Sequence, residues 1–122
     1  GIAKNGVTSF LPTTMTVSMD EIVAALNAVR SLKEESKSWA GSAILGCHAE
    51  GPFINASKKG AQAAEHIKAP DADWIIKNSD IIKLCTIAPE TEGGYEAEAS
   101  SFKAGVAEII IEEGEKLLES IK

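Results

Sequence analysis

Aromatic residues are scarce in this chain: two Trp, one Tyr and three Phe make up 5% of its 122 residues. Positive charge is also in deficit. Twelve Lys and Arg stand against 18 Asp and Glu, giving a net charge of −6 and a pI near 4.9. No Lys/Arg cluster or aromatic ladder breaks that balance, which argues against a nucleic-acid partner or an anionic membrane surface. No apolar run approaches the roughly 20 residues of a membrane span. The opening Gly1-Ile2-Ala3-Lys4-Asn5-Gly6 lacks the apolar core of a signal peptide. It also lacks an initiating Met, so the chain reads as a processed product or an excised piece. No G-x-G-x-x-G or G-x-x-x-x-G-K-S/T motif follows an apolar run, so nucleotide binding has no support. No C-x-x-C or H-x-x-x-H spacing supports a metal site built from Cys47, His48 and Cys85. The two cysteines each lie in an apolar run and read as reduced, buried thiols of a cytoplasmic protein.

What is present suits one soluble domain over residues 1–122: hydrophobic content is 44% and charged content 25%. Short apolar runs alternate with helical patterns. Val7 to Leu11 reads as a strand ended by Pro12. Ser18-Met19-Asp20-Glu21 fits a capping box, and Ile22, Val23, Leu26, Val29 and Leu32 follow at helical spacing. Ala43 to His48 reads as a second, doubly covered strand. Asn55 to Ala69 is a loop around Ser57-Lys58-Lys59-Gly60, and Pro70-Asp71 opens a short helix with Pro70 in its first turn. Asp80 to Ile87 is a third strand, and residues 96–104 form a helix closed by Gly105. Val106 to Ile111 suits either a fourth strand before a helix reaching Ile121 or the start of one long helix, which Gly114 would weaken by about 1 kcal/mol. The expected class is α/β: three or four parallel strands with crossover helices. That is too few strands for a closed eight-stranded barrel, which takes roughly 250 residues. Trp39 and Trp74 read as packing residues, His66 as a surface histidine, and Glu90 as an acid favoured at a helix N-terminus.

Polar and special-geometry residues mark three successive strand ends: Leu11-Pro12-Thr13-Thr14, His48-Ala49-Glu50-Gly51-Pro52 and Thr86-Ile87-Ala88-Pro89-Glu90. On a strand, His48 and Glu50 point the same way. An imidazole and a carboxylate therefore stand together where ligands bind in α/β folds.

These segments, with Gly6-Val7-Thr8-Ser9-Phe10-Leu11, Phe53 and Lys58-Lys59-Gly60-Ala61, occur in this order in N-acetylglucosamine-6-phosphate deacetylases, which the chain resembles over residues 1–97. Residues 98–122 diverge. The resemblance implies an amidohydrolase-superfamily fold, here a partial (β/α)8 barrel. It implies hydrolysis of the acetamide of N-acetylglucosamine 6-phosphate to glucosamine 6-phosphate and acetate by a metal-activated water. It assigns Glu50, in H-x-E-G-P, to a divalent ion (Zn, Fe or Mn), and Ala61 and Gln62 to the amino-sugar phosphate. Position 62 is often His in the family. His48 supports Glu50 and is not itself a ligand on this reading.

The family's other metal ligands are histidines in G-H-S/T and T-H-x-F/Y-N-A-M contexts, and its catalytic aspartate lies in T-D-A. None occurs here, nor does the upstream H-x-H, and His48 and His66 are the only histidines. The resemblance is thus to an internal slice of the barrel whose catalytic residue is unknown. The expectation is a chain that leaves the metal unbound and is inactive alone, or a non-catalytic folding, assembly or regulatory unit. Open sheet edges predict self-association, or a covering helix over residues 114–122 with Leu117, Leu118 and Ile121.

Overall fold

The computed structural model describes residues 1–110. The expected helix over 114–122, and the covering role of Leu117, Leu118 and Ile121, lie outside the described residues. Five short strands alternate with three helices: β1 (Ser9–Phe10), α1 (Met19–Ser36), β2 (Ala43–Ile44), β3 (Cys47–Glu50), α2 (Ala72–Lys77), β4 (Ile82–Ile87), α3 (Gly94–Lys103) and β5 (Ala107–Ile110). Every strand pair is parallel: β1 with β2, β3 with β4, and β4 with β5. A parallel bridge between Thr13 and His48 carries the first pairing on past β2. The α/β class and the parallel strands are as expected. Residues 107–110 are strand, which decides between the two readings of that segment.

One expected strand is divided. The run from Ala43 to His48 breaks at Leu45–Gly46, with β2 on one side and β3 on the other. The reason lies across the sheet. A Cβ at Gly46 would stand 2.7 Å from the Ile81 carbonyl oxygen and would overlap the Lys83 stem. The chain crosses Lys83 at its one residue without a side chain, and Leu45 is left 54% exposed. The segment is therefore not covered on both faces throughout.

α1 starts as its sequence dictates. The Ser18 hydroxyl accepts the Glu21 amide, and the Glu21 carboxylate accepts the Ser18 amide at 3.1 Å. The bond from the Ser18 hydroxyl holds Glu21 below its ordinary carboxylate range. Ile22, Leu26 and Val29 face the sheet and are buried. Val23 and Leu32 are exposed, so the apolar stripe is narrower than its spacing suggests. At α2 the cap is Asp71, whose carboxylate accepts the Trp74 amide at 2.9 Å. Pro70 therefore precedes the cap and does not occupy the first turn.

The core lies between the helices and one face of the strands: Ile22, Leu26, Ile44, Cys47, Ala49, Ile75, Ile82, Cys85 and Ile87. Both thiols are buried, and burial pushes the Cys47 thiol above its ordinary pKa. Trp74 meets Phe53 edge-on at 5.7 Å between ring centroids, as a packing residue should. Trp39 does not pack in this way; it is 43% exposed.

Arg30 fastens α1 to the turn before β4. Its guanidinium donates to both Asp80 oxygens, at 2.8 and 2.9 Å, and also to Asn27 and Asn78. The Arg30 hydrogen bond holds Asp80 below the usual carboxylate range. The Asp80 side chain is 59% exposed, so water screens the pair and its net worth is about 0.5 kcal/mol. Because the folded pKa is lowered, this increment is complete above the ordinary carboxylate range and is lost as pH falls below that range through the lowered folded pKa. Asp80→Asn should cost about 0.5 kcal/mol in urea unfolding at neutral pH, and the difference should vanish in acid. Gly46→Ala should cost about 1–3 kcal/mol in the same assay, because a methyl has no room against Ile81 and Lys83.

Candidate functional site

Alternation along β3 sorts its four residues. Cys47 and Ala49 are fully buried toward the helices, while His48 and Glu50 turn to the opposite face with side chains 14% and 27% exposed. Cys47 is opposite Ile82, but His48 is opposite Leu84, so Lys83 is an extra residue on β4. This bulge resets the register, and Glu50 comes directly opposite Thr86. Three polar groups then converge. His48 Nε2 lies 2.9 Å from Thr86 Oγ1 and 3.2 Å from Glu50 Oε2, and the Thr86 hydroxyl donates to Glu50 Oε2. On the outer side of the ring, His48 Nδ1 is 3.5 Å from the Thr13 hydroxyl.

The three marked strand ends meet here. His48 accepts the Thr14 amide at 3.0 Å and gives its own amide to Pro12 at 2.9 Å. The Phe53 carbonyl accepts the Ala88 amide at 2.9 Å. Gly51 turns with φ 82°, and a Cβ there would overlap the Thr16 hydroxyl. Only glycine lets Thr16 lie against the chain that leaves Glu50. Thr16 in turn donates its amide to Gln62 Oε1 at 2.9 Å and its hydroxyl to the Glu50 carbonyl at 3.5 Å.

The structure brings His48 and Glu50 together as their spacing requires. Gln62 reaches the same region through Thr16, and its side-chain oxygen braces that loop. Ala61 is exposed on the loop after β3, beside Gly60. Lys59 is spent on its own turn, donating to the Gln62 carbonyl at 3.0 Å. His66 is half-buried at the end of a short 3-10 turn, Ala64–His66, more covered than a surface histidine. Glu90 is not in the first turn of α3, which begins at Gly94; it accepts from Asn55 Nδ2 at 2.8 Å.

The sequence places Thr86 at a marked strand end but assigns it no role, and it assigns none to Asn55. Thr86 is a fully buried polar residue in an apolar strand, and that alone asks for a hydrogen-bond partner. Asn55 follows a Gly-Pro turn at the start of a loop, where an amide side chain commonly caps. Its Oδ1 accepts from the Ser57 amide at 2.9 Å while its Nδ2 holds Glu90. The other Glu90 oxygen, Oε2, is buried with no partner among the described residues. Asn55→Ala would leave both oxygens bare. The expected cost is about 1–3 kcal/mol, read as faster hydrogen exchange at the Ser57 amide, which loses its Asn55 Oδ1 acceptor.

Parallel strands with an imidazole and a carboxylate at their carboxyl ends define the class of α/β proteins that bind ligands on that rim. No protein-family profile matches the chain. Individual relatives do. N-acetylglucosamine-6-phosphate deacetylase of Bacillus subtilis is 37% identical over 100 residues, which is 78% of this chain and 25% of the relative. The crystal structure of the Thermotoga maritima deacetylase superposes with a TM-score of 0.71 at 33% identity, covering 86% of this chain and 28% of that one. A Mycobacterium smegmatis deacetylase in complex with N-acetyl-D-glucosamine-6-phosphate superposes at 0.67 with 26% identity, covering 84% of this chain and 26% of that one. The chain belongs to the N-acetylglucosamine-6-phosphate deacetylase family, and it spans about a quarter of the length of the curated relatives it matches.

Proposed function

We propose that this chain is one sector, a partial (β/α)8 barrel, of a deacetylase that hydrolyses N-acetylglucosamine 6-phosphate to glucosamine 6-phosphate and acetate. On this reading residues 1–122 are a single α/β unit whose last part, 98–122, diverges from the family. The observation that carries it is the cluster of His48, Glu50 and Thr86 at the carboxyl end of adjacent parallel strands, in a segment related to such enzymes.

Glu50 is the metal carboxylate of this sector. A divalent ion of the kind the family uses (Zn²⁺, Fe²⁺ or Mn²⁺) supplies Lewis-acid activation of water when bound. The donor set here does not complete such a site. Among the described residues no three His, Cys, Asp or Glu side chains stand together, and three protein ligands with an open position are the usual minimum. Among its described residues this chain alone therefore holds one wall of the metal centre. His48 supports Glu50 from the side. Ala61 and Gln62 line the approach of the amino-sugar phosphate, with Gln62 held in place by Thr16.

The same reading covers partners. Among the described residues β1 pairs only with β2, and β5 only with β4, so one edge of each is open. Met15, Leu45 and Trp39 are exposed apolar side chains. A second copy of the chain covers these surfaces. No helix among the described residues is long and apolar enough to cross a membrane. Neither membrane nor nucleic acid is a partner on this reading, and two cysteines held in the buried core support a cytoplasmic site of action.

Purified chain, assayed for acetate release from N-acetylglucosamine 6-phosphate and analysed for metal, should show neither turnover nor stoichiometric Zn, Fe or Mn. Light scattering should show an oligomer. Turnover with bound metal would overturn the incompleteness of the site. A strict monomer at all concentrations would overturn self-association.

A further inference from the structure

We propose that Thr86 is a positioning residue that locks a proton on His48 Nε2 and so turns the imidazole into a dedicated donor for Glu50. Glu50 Oε2, Thr86 Oγ1 and His48 Nε2 lie mutually within hydrogen-bond reach. A carboxylate oxygen only accepts, and a hydroxyl owns one proton. That proton goes from Thr86 to Glu50. If Nε2 were bare, its lone pair would face the lone pairs of both oxygens, with nothing between them. The contacts at 2.9 and 3.2 Å would then be repulsive. With the proton on Nε2, the imidazole donates to Thr86 Oγ1 and Glu50 Oε2, and every contact in the cluster is attractive.

Two consequences follow for the site. Nε2 carries a proton, so that nitrogen is turned to Glu50 and Thr86, and His48 serves the carboxylate. Glu50 is gripped at one oxygen by two donors, both on strands paired in register, which fixes the direction in which its carboxylate faces. Thr86 is completely buried, so water cannot replace its hydroxyl without rearrangement of the sheet. The role of Glu50 rests on the deacetylase reading; the position of the proton does not.

The test is long-range ¹H–¹⁵N correlation of the histidine rings in the purified chain. The expected result is a protonated Nε2 and an unprotonated Nδ1 on His48 in the neutral ring, with a detectable Nε2–H resonance. Thr86→Ser, which keeps the hydroxyl, should retain that resonance. Thr86→Val, which keeps the shape, should speed its exchange with water about tenfold, the equivalent of one hydrogen bond, while the amide fingerprint reports the fold. A proton on Nδ1 in the native protein would overturn the proposal outright, whether or not Thr86→Val folds. Unchanged exchange in a folded Thr86→Val would overturn the part assigned to Thr86. Failure of the deacetylase reading in the acetate assay would leave the ring protonation as predicted, so the two failures are distinguishable.

Discussion

The pairing of β3 with β4, and the single bulge within it, is the constraint on which the rest of the structure depends. Parallel strands alternate their side chains, so a shift of one residue exchanges the buried face for the open one. Cys47 meets Ile82, the sheet then skips Lys83, and Ala49 meets Cys85 while Glu50 meets Thr86. The skip places two thiols and an alanine methyl against the helices, and an imidazole, a carboxylate and a hydroxyl on the other side. Gly46 permits the skip, because any side chain there would run into Ile81 and Lys83. Lys83 is held in turn by its own ammonium, which donates to the Ser79 carbonyl at 2.7 Å.

From that register the rim is built outward by loops that brace one another. Thr16 lies against Gly51 and is tied to Gln62, while Asn55 links the loop after β3 to Glu90 after β4. Few of these bonds involve more than one side chain per loop, and most use backbone amides or carbonyls. The scaffold around Glu50 is therefore cross-braced where the strands end and is exposed at Ala61 and Lys58. A sector of this kind offers one oriented carboxylate and a braced loop. Among the described residues it does not gather the three donors that a catalytic metal needs.

Much of this arrangement was legible in the residues themselves. The capping box at Ser18 and Glu21, the i, i+2 spacing of His48 and Glu50, and the three polar strand ends all follow from local rules, and local rules act within a few residues. The break at Leu45–Gly46 was not legible, because it is caused by Lys83, far along the chain. The role of Thr86 was hidden for the same reason: it depends on a register that only the folded sheet defines. Glu90 was read as a helix acid because helix boundaries shift by a few residues; α3 begins four residues later, and Asn55 took the carboxylate instead. Trp39 shows that a large apolar ring does not by itself announce burial in a chain with open sheet edges.

The central claim is the register that puts Glu50 opposite Thr86, and cross-strand nuclear Overhauser contacts in the labelled chain test it most directly. The account predicts contacts that pair Ala49 with Cys85 and Glu50 with Thr86, with Lys83 skipped. Contacts pairing His48 with Lys83 and Glu50 with Cys85 would contradict it, because the carboxylate would then share a face with the Cys85 thiol and not with the Thr86 hydroxyl.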